Sequence, residues 1–421
     1  MKQLQMLSVM TILIMLLSSY RIKEEVPPLP VTPQYSLETP QTPPAETPGG
    51  QTPAPRVLQE DKSYIFVQRD TNATDDGVVR LIERMETEGQ YFYRTPEHAK
   101  GLIGPDDVVL LKINAQWAER GGTNTDLIRA VAEAVAAHPE GFTGEIIIAD
   151  NGQGQYGTYG TGGSFDWEKT NSADRTQSVT DVIASLQGRM KISGYLWDSI
   201  TMNRVGEYDQ GDGADGFVIE DKVHPTGLEI SYPKFTTQYG TTISFKKGVW
   251  NQTATAYDSD RLKVINLPVL KRHNIYRMTG AVKAYMGIVA NRLTGHRPHN
   301  SVGNGGMGTL MAETRMPTLN IMDMVWIGTG GGPGTGYSAA SQANMLAAST
   351  DPAALDYWAA QHVLLPETAD SGLDPQDVAP GGFGHWLRLS ALEMQKAGFA
   401  AAVSEEQMVL VDSARQPESL P

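Results

Sequence analysis

Two continuous apolar segments with an amphipathic segment between them constrain the fold of this chain most strongly. Residues 107–114 and 144–150 are rich in Val, Ile and Leu without polar alternation, which is typical of strands buried on both faces. Residues 126–137 carry apolar side chains at helical spacing, and Asn124 or Thr125 can cap the resulting helix. Because a strand–helix–strand unit requires parallel strands and a right-handed crossover, the sequence predicts an α/β fold: a mostly parallel sheet flanked by helices.

The region at about 151–260 interrupts this pattern. It opens with Gly and Tyr repeats and contains two alternating segments, 228–232 and 241–245, that suggest a β-hairpin. After it the α/β pattern returns. We therefore predict one α/β domain over residues 58–415 with a β-containing insertion at 151–260, followed by a disordered tail at 416–421.

The first 57 residues are predicted to lie outside this domain. Residues 4–20 are almost wholly apolar after Lys2, which is the pattern of an export signal, and a membrane anchor needs roughly 20 such residues. Residues 1–26 are therefore expected to be a signal peptide or a retained membrane anchor. Residues 27–57 repeat Thr-Pro steps and predict a disordered Pro/Thr-rich stalk, or a linker without a spacing role. The expected location is extracellular or periplasmic, either secreted or attached to the membrane or cell wall.

Charge and cysteine content exclude several functional classes. The net charge of −14 argues against nucleic acid as a partner, because phosphate backbones attract clustered Lys and Arg. The absence of cysteine excludes disulfides, thiolate nucleophiles and cysteine-ligated iron–sulfur clusters. The glycine-rich run at 328–336 has no register that gives the dinucleotide fingerprint Gly-x-Gly-x-x-Gly. A divalent metal stays open as a cofactor.

Polar residues at two predicted strand ends indicate a candidate site. Lys112 and Asn114 end one strand and Asp150 ends the next, and ligands of open α/β sheets bind at this edge. The helix start at Thr123 and Asn124 offers free backbone N–H groups to an anion. The alternative is a solvated strand end with an ordinary helix cap.

A third strand end adds two cations and a histidine. The apolar run at 265–270 is followed by Lys271, His273 and, after Thr279, Lys283. Two cations beside a histidine can bind a carboxylate or phosphate, or lower the pKa of the histidine. A solvated loop with a structural histidine is the alternative.

Three histidines raise the question of a metal site. His296 and His299 are three residues apart, although Pro298 favours a loop over a helix between them. Together with His273 they can form a three-histidine metal site.

Several short motifs occur in an order known from one family. The motifs are Lys112-Ile113-Asn114, Gly122-Thr123-Asn124-Thr125, Leu267-Pro268 with Lys271 and His273, Thr279-Gly280 with Lys283, Gly331-Gly332-Pro333, and residues 348–356. In this order they resemble the family known as domain of unknown function 362, over roughly residues 60–400. The resemblance implies an α/β domain, often joined to iron–sulfur modules in redox settings. This chain differs from that pattern in two ways. It has no cysteine to hold an iron–sulfur cluster, and it carries Ala284 after Lys283 where the family often has Asn.

These expectations combine into two hypotheses of function. The first is an enzyme that acts on an anionic or oxygen-rich small molecule, with His273 as general base or metal ligand and the lysines holding negative charge. Its catalytic residues would be His273, Lys271 and Lys112, and its substrate-binding residues Asn114, Lys283, Thr123, Asn124 and Asp150. The second is a non-catalytic surface module that binds a glycan or metabolite in the same cleft, where aromatic residues of 151–260 can stack on sugars.

Overall fold

The structure is a computed structural model that describes residues 58–154 and 162–414. The expected signal or anchor at 1–26, the stalk at 27–57 and the tail at 416–421 lie outside the described residues. Within the described ranges, no helix is long and apolar enough to cross a membrane.

The described residues form fifteen strands and nine α-helices. The strands are β1 (Ser63–Arg69), β2 (Val108–Lys112), β3 (Glu145–Asp150), β4 (Ile192–Leu196), β5 (Gly216–Val223), β6 (Glu229–Thr236), β7 (Thr242–Ser244), β8 (Gly248–Asn251), β9 (Ala256–Asp258), β10 (Leu262–Asn266), β11 (Val269–His273), β12 (Arg277–Thr279), β13 (Leu319–Gly328), β14 (Ala340–Ser349) and β15 (Met408–Asp412). The helices are α1 (Gly77–Thr87), α2 (Thr125–Ala136), α3 (Val179–Leu186), α4 (Ala281–Ala284), α5 (Arg297–Ser301), α6 (Gly306–Glu313), α7 (Pro352–Ala359), α8 (Leu365–Thr368) and α9 (Phe383–Lys396).

A ten-stranded mixed sheet forms the centre of the domain. Its main path runs β15-β1-β14-β13-β10-β2-β3-β4, and β11 and β12 extend it beside β13. The pairs β13–β10, β10–β2, β2–β3 and β3–β4 are all parallel. Alternate side chains of β2 enter two different apolar clusters, one on each face of the sheet. The predicted α/β fold with a mostly parallel, doubly covered sheet is therefore confirmed.

A second sheet of five antiparallel strands, β5 to β9, forms the β-containing insertion. Strands β6 and β7 pair as the expected hairpin. The first part of the 151–260 region also contains α3 and β4, and β4 extends the main sheet in parallel beside β3. The purely antiparallel part of the insertion is thus Gly216–Asp258.

The carboxyl ends of three strands meet at one edge of the main sheet. The register aligns Lys112 of β2 with Ala149 of β3 and with Asn266 of β10. After β10 the chain turns at Leu267 and Pro268 and continues as β11, which pairs with the far half of β13. This turn carries the following polar residues past the end of β10 and over the edge of the sheet.

Candidate active site at the sheet edge

A cavity of about 310 Å³ opens where β2, β3 and β11 end, and we call it the strand-edge cavity. Its polar wall contains Lys112, Asn114, Asp150, Lys271, His273, Thr279, Lys283 and His299. Its less polar part includes Trp117, Ile275 and Met286. The structure thus brings seven of the sequence-identified lysine, asparagine, aspartate and histidine side chains into one cavity.

Lys112 is held in a buried ion pair. Its Nζ lies 3.0 Å from Asp150 Oδ1 and donates to the Ile113 carbonyl at 2.8 Å. The other carboxylate oxygen, Asp150 Oδ2, accepts from the Ala115 N–H at 2.7 Å. Burial lowers the pKa of Lys112, and the Asp150 carboxylate opposes this shift. A Cβ on Gly287 would overlap Asp150 Oδ1, so only glycine lets that backbone close over the pair. The opposite charges of Lys112 and Asp150 cancel, so the pair contributes little net charge to the cavity.

Lys271 lies on β11 with its amine buried. Its Nζ donates to the Gly121 carbonyl, and no described carboxylate forms a salt bridge with it. Burial and the neighbouring Lys283 lower the pKa of Lys271 to about 7. Thr279 of β12 is its cross-strand partner, which places the two side chains side by side. The Thr279 Oγ1 is buried and, within the described part of the chain, has no hydrogen-bond partner.

Lys283 lies on the short helix α4 and is 7% exposed. Its Nζ stands 5.6 Å from the centre of the Tyr276 ring, and no hydrogen bond or ion pair joins it to another described residue. Burial and the nearby Lys112 lower the pKa of Lys283 to about 7. Lys283 is therefore a buried amine without a compensating anion in the described protein.

Asp356 anchors the helix that carries Lys283. Its Oδ1 accepts from the Ala281 N–H at 2.5 Å and its Oδ2 accepts from the Val282 N–H at 3.0 Å. Burial raises the pKa of Asp356 to about 7. The sequence places this residue one turn into α7, and only the fold brings it to the start of α4. Asp356 thus positions Lys283 without lining the strand-edge cavity.

His273 is a hydrogen-bond donor rather than a base in this arrangement. Its Nδ1 accepts from the Ile275 N–H at 3.2 Å and from the Tyr276 N–H at 3.1 Å, which assigns the proton of the neutral ring to Nε2. Burial, followed by Lys283, lowers the pKa of His273 to about 2, so the ring is neutral. A general base needs a free lone pair on the nitrogen that faces the substrate. The geometry does not suit the general-base role expected from the sequence.

The predicted three-histidine metal site is not assembled. The rings of His273 and His299 are 6.4 Å apart, and burial lowers the pKa of His299 to about 4. His296 is exposed, does not line the cavity, and has its Nδ1 3.0 Å from the Asn291 amide nitrogen. Among residues 58–154 and 162–414, no group of three or more His, Asp or Glu is arranged to hold a metal ion. The left-handed backbone of His296 turns the chain away at this point.

Thr123 and Asn124 connect elements instead of lining the cavity. The Thr123 hydroxyl donates to the Leu267 carbonyl at 2.7 Å and accepts from the Asn114 N–H at 2.8 Å. The Asn124 side chain caps α2 by accepting from the Asp126 N–H at 2.9 Å. The Asn124 N–H donates to Asp323 Oδ2 at 2.8 Å. The start of α2 is therefore bonded to protein groups, and neither residue lines the strand-edge cavity, so the substrate contact expected through them stays a prediction.

Two residues of the cavity wall, Gln153 and Trp117, were not identified from the sequence. Gln153 accepts from the Asn291 N–H at 3.1 Å and donates to the Met286 carbonyl. Trp117 lies beside Gly334 of the glycine-rich loop, where a side chain would overlap its ring. Its position three residues beyond Asn114, just past a strand end, is the one local signal that could have indicated it.

Comparison with known proteins gives a partial match to one family. The model of the family described as Domain of unknown function (DUF362) matches residues 226–361. The matched interval contains Lys271, His273, Thr279 and Lys283. Among curated proteins and among solved structures, no chain matches this one. Over residues 226–361, the chain resembles the DUF362 family of unknown function.

Proposed function

We propose that the protein is an enzyme that binds a small anionic molecule in the strand-edge cavity and acts on it there. The observation that carries the proposal is the charge balance of the cavity wall. Lys271 and Lys283 are both buried, and neither forms a salt bridge with a described carboxylate. Burying an uncompensated ammonium group is costly, and an anionic ligand would remove that cost.

The hydrogen-bonding groups of the wall support a carboxylate or phosphate as the bound group. The two amines, the Thr279 hydroxyl and the Nε2–H of His273 are all able to donate. One nearby acceptor is already used, because Asn114 Oδ1 accepts from the Val269 N–H at 3.0 Å. A wall with these four donors, two of them amines that can carry a positive charge, suits an anion better than a neutral sugar.

The alternative of a glycan-binding module has less support. Trp197 in the insertion region is fully buried, and the Trp250 ring packs edge-on against Tyr257 at 4.9 Å. These contacts use the aromatic rings for packing between protein elements. Catalysis is further supported by the amines of Lys271 and Lys283, whose pKa values of about 7 suit proton transfer at neutral pH.

Ligand-induced stabilisation tests the proposal. A ligand that binds only the folded state at a hundred times its Kd stabilises it by about 2.7 kcal/mol. We expect inorganic phosphate or oxalate to raise the Tm of the wild-type protein and of Lys191→Met, an exposed control. The same anions should give little or no shift in Lys271→Met. Equal shifts in all three proteins would contradict the proposal.

We also propose that the protein is exported, either secreted or anchored. The apolar run at 4–20 and the Pro/Thr-rich segment at 27–57 support this location. Fractionation of cells that produce the full chain and a chain starting at residue 58 tests it. Equal retention of both chains inside the cell would contradict export.

A further inference from the structure

The amine of Lys283 differs from the other two lysines of the strand-edge cavity. Lys112 is bonded to Asp150 and to a backbone carbonyl, and Lys271 is bonded to the Gly121 carbonyl. The Lys283 amine forms no hydrogen bond or ion pair with any residue in the described ranges, and its side chain lines the same cavity. Among the three amines, only the Lys283 Nζ has no hydrogen bond or ion pair with a described residue that must break before it reacts.

We propose that Lys283 forms a Schiff base with the carbonyl carbon of a 2-oxo acid bound in this cavity. The inference rests on the proposed function, since the carboxylate of the acid is the anion that the cavity binds. The Lys283 nitrogen attacks the carbonyl carbon, and the carbonyl π electrons move to oxygen. A proton passes from nitrogen to that oxygen to give a carbinolamine. The hydroxyl group, with one further proton, then leaves as water and a protonated imine remains.

The surroundings of Lys283 favour a nucleophilic amine. Imine formation needs the neutral amine, and desolvation or a second cation nearby supplies it at neutral pH. Lys283 has both, because it is buried and close to Lys112, and its pKa is about 7. The two hydrogen bonds from Asp356 to the start of α4 fix the backbone that carries this amine. The nucleophile is thus held in place by a residue that does not touch the ligand.

The neighbours of Lys283 suit the two functional groups of a 2-oxo acid. The Lys271 ammonium can pair with the carboxylate, which also offsets the charge of the protonated imine. The Thr279 hydroxyl has no described partner, and the Nε2–H of His273 is not bonded to any described residue. Either group can donate to the carbonyl oxygen as it becomes a hydroxyl group. A volume of about 310 Å³ accommodates a small acid of this class.

Reductive trapping tests the inference. The full-length protein is incubated with pyruvate and sodium cyanoborohydride, and modified peptides are mapped by mass spectrometry. We expect a carboxyethyl group on Lys283 in the wild type and in Lys191→Arg, and none at this position with lactate, which has no carbonyl. Lys283→Met should lose the adduct while removing only a buried charge. Absence of the adduct, modification of Lys271 in its place, or labelling of Lys191 to the same extent overturns the inference.

A parallel binding measurement separates this inference from the proposed function. Oxalate carries carboxylates but no reactive carbonyl, so its effect on Tm reports anion binding alone. Lys283→Arg keeps the positive charge and cannot form the imine, so it should bind oxalate and remain unlabelled. If oxalate binds the wild type and no adduct forms, the Schiff base is wrong and anion binding stands. If oxalate fails to bind as well, both are wrong.

Discussion

The affinity of the strand-edge cavity for an anion should fall as pH rises above neutrality. In the free protein, burial and then a neighbouring lysine lower the pKa of Lys271 and of Lys283 from 10.5 to about 7. A bound carboxylate favours the charged amines and raises both pKa values again. The complex therefore holds more protons than the free protein, and binding weakens as pH rises through about 7.

The size of the effect follows from these values. If one lysine is fully protonated in the complex, Kd increases about tenfold per pH unit above 7, or about fifty-fold between pH 7 and pH 9. If both lysines are fully protonated in the complex, their separate increases in Kd multiply. His273 and His299 do not contribute, because their pKa values are lowered to about 2 and about 4 and both rings stay neutral. The Lys112 amine is already paired with Asp150.

Calorimetry with oxalate measures both the affinity and the proton uptake. Oxalate is the suitable probe because both its carboxyl groups stay ionised from about pH 6 to about pH 9, whereas phosphate titrates within that range. Titrations in buffers of different ionisation enthalpy give the number of protons taken up. Lys271→Met should show a shallower pH dependence, and the exposed control Lys191→Met should match the wild type. Equal affinity at both ends of the range, or proton release on binding, would refute the reasoning.

Two further comparisons test the contacts of the cavity wall. Lys112→Met should lower the free energy of unfolding by about 3–5 kcal/mol because it leaves Asp150 buried without its cation. Lys283→Met should instead raise the free energy of unfolding, because it removes a buried amine that has no described ion-pair partner. Urea denaturation measures both, and changes of the same sign would contradict the assigned pairing. Gly287→Ala should weaken oxalate binding and lower Tm because its Cβ overlaps Asp150 Oδ1, while Gly331→Ala, whose Cβ meets no atom within 4 Å, should change neither. The Tm of both variants is measured with and without oxalate. Equal Tm values and equal oxalate shifts in Gly287→Ala and Gly331→Ala would contradict the close contact between Gly287 and Asp150.

Local sequence patterns predict the sheet and part of the cavity. Strands β2 and β3 are buried on both faces, so their apolar runs are visible without knowing their neighbours. Their polar ends, Lys112 and Asp150, must then lie at one edge because the strands are parallel. The same reasoning brings Lys271 to this edge, although the turn at Pro268 that carries it there is visible only as a break in the apolar run.

Other parts of the candidate site depend on contacts between distant residues. A helix start such as that at Asn124 looks free to bind an anion, yet Asp323, about two hundred positions away, accepts its N–H. The proton position on His273 depends on two backbone N–H groups of the turn that follows, a detail that residue type does not encode. His296 lies near His299 in sequence, but His296 itself has a left-handed backbone and does not line the cavity that His299 lines. Hydrogen bonds between distant residues and the geometry of turns therefore determine the roles of Asn124, His273 and His296, and neither can be predicted from local sequence.

The two halves of the cavity wall have different electrostatic roles. Lys112 and Asp150 come from β2 and β3, outside the interval that matches the DUF362 model, and they neutralise each other. Lys271 and Lys283 come from β11 and α4, inside that interval, and they supply the uncompensated positive charge. The neutral pair still affects the amines, because Lys112 helps to lower the pKa of Lys283. In the proposed function, the groups that meet the ligand therefore belong to the family-matched segment, while the preceding strands affect the pKa of its amines.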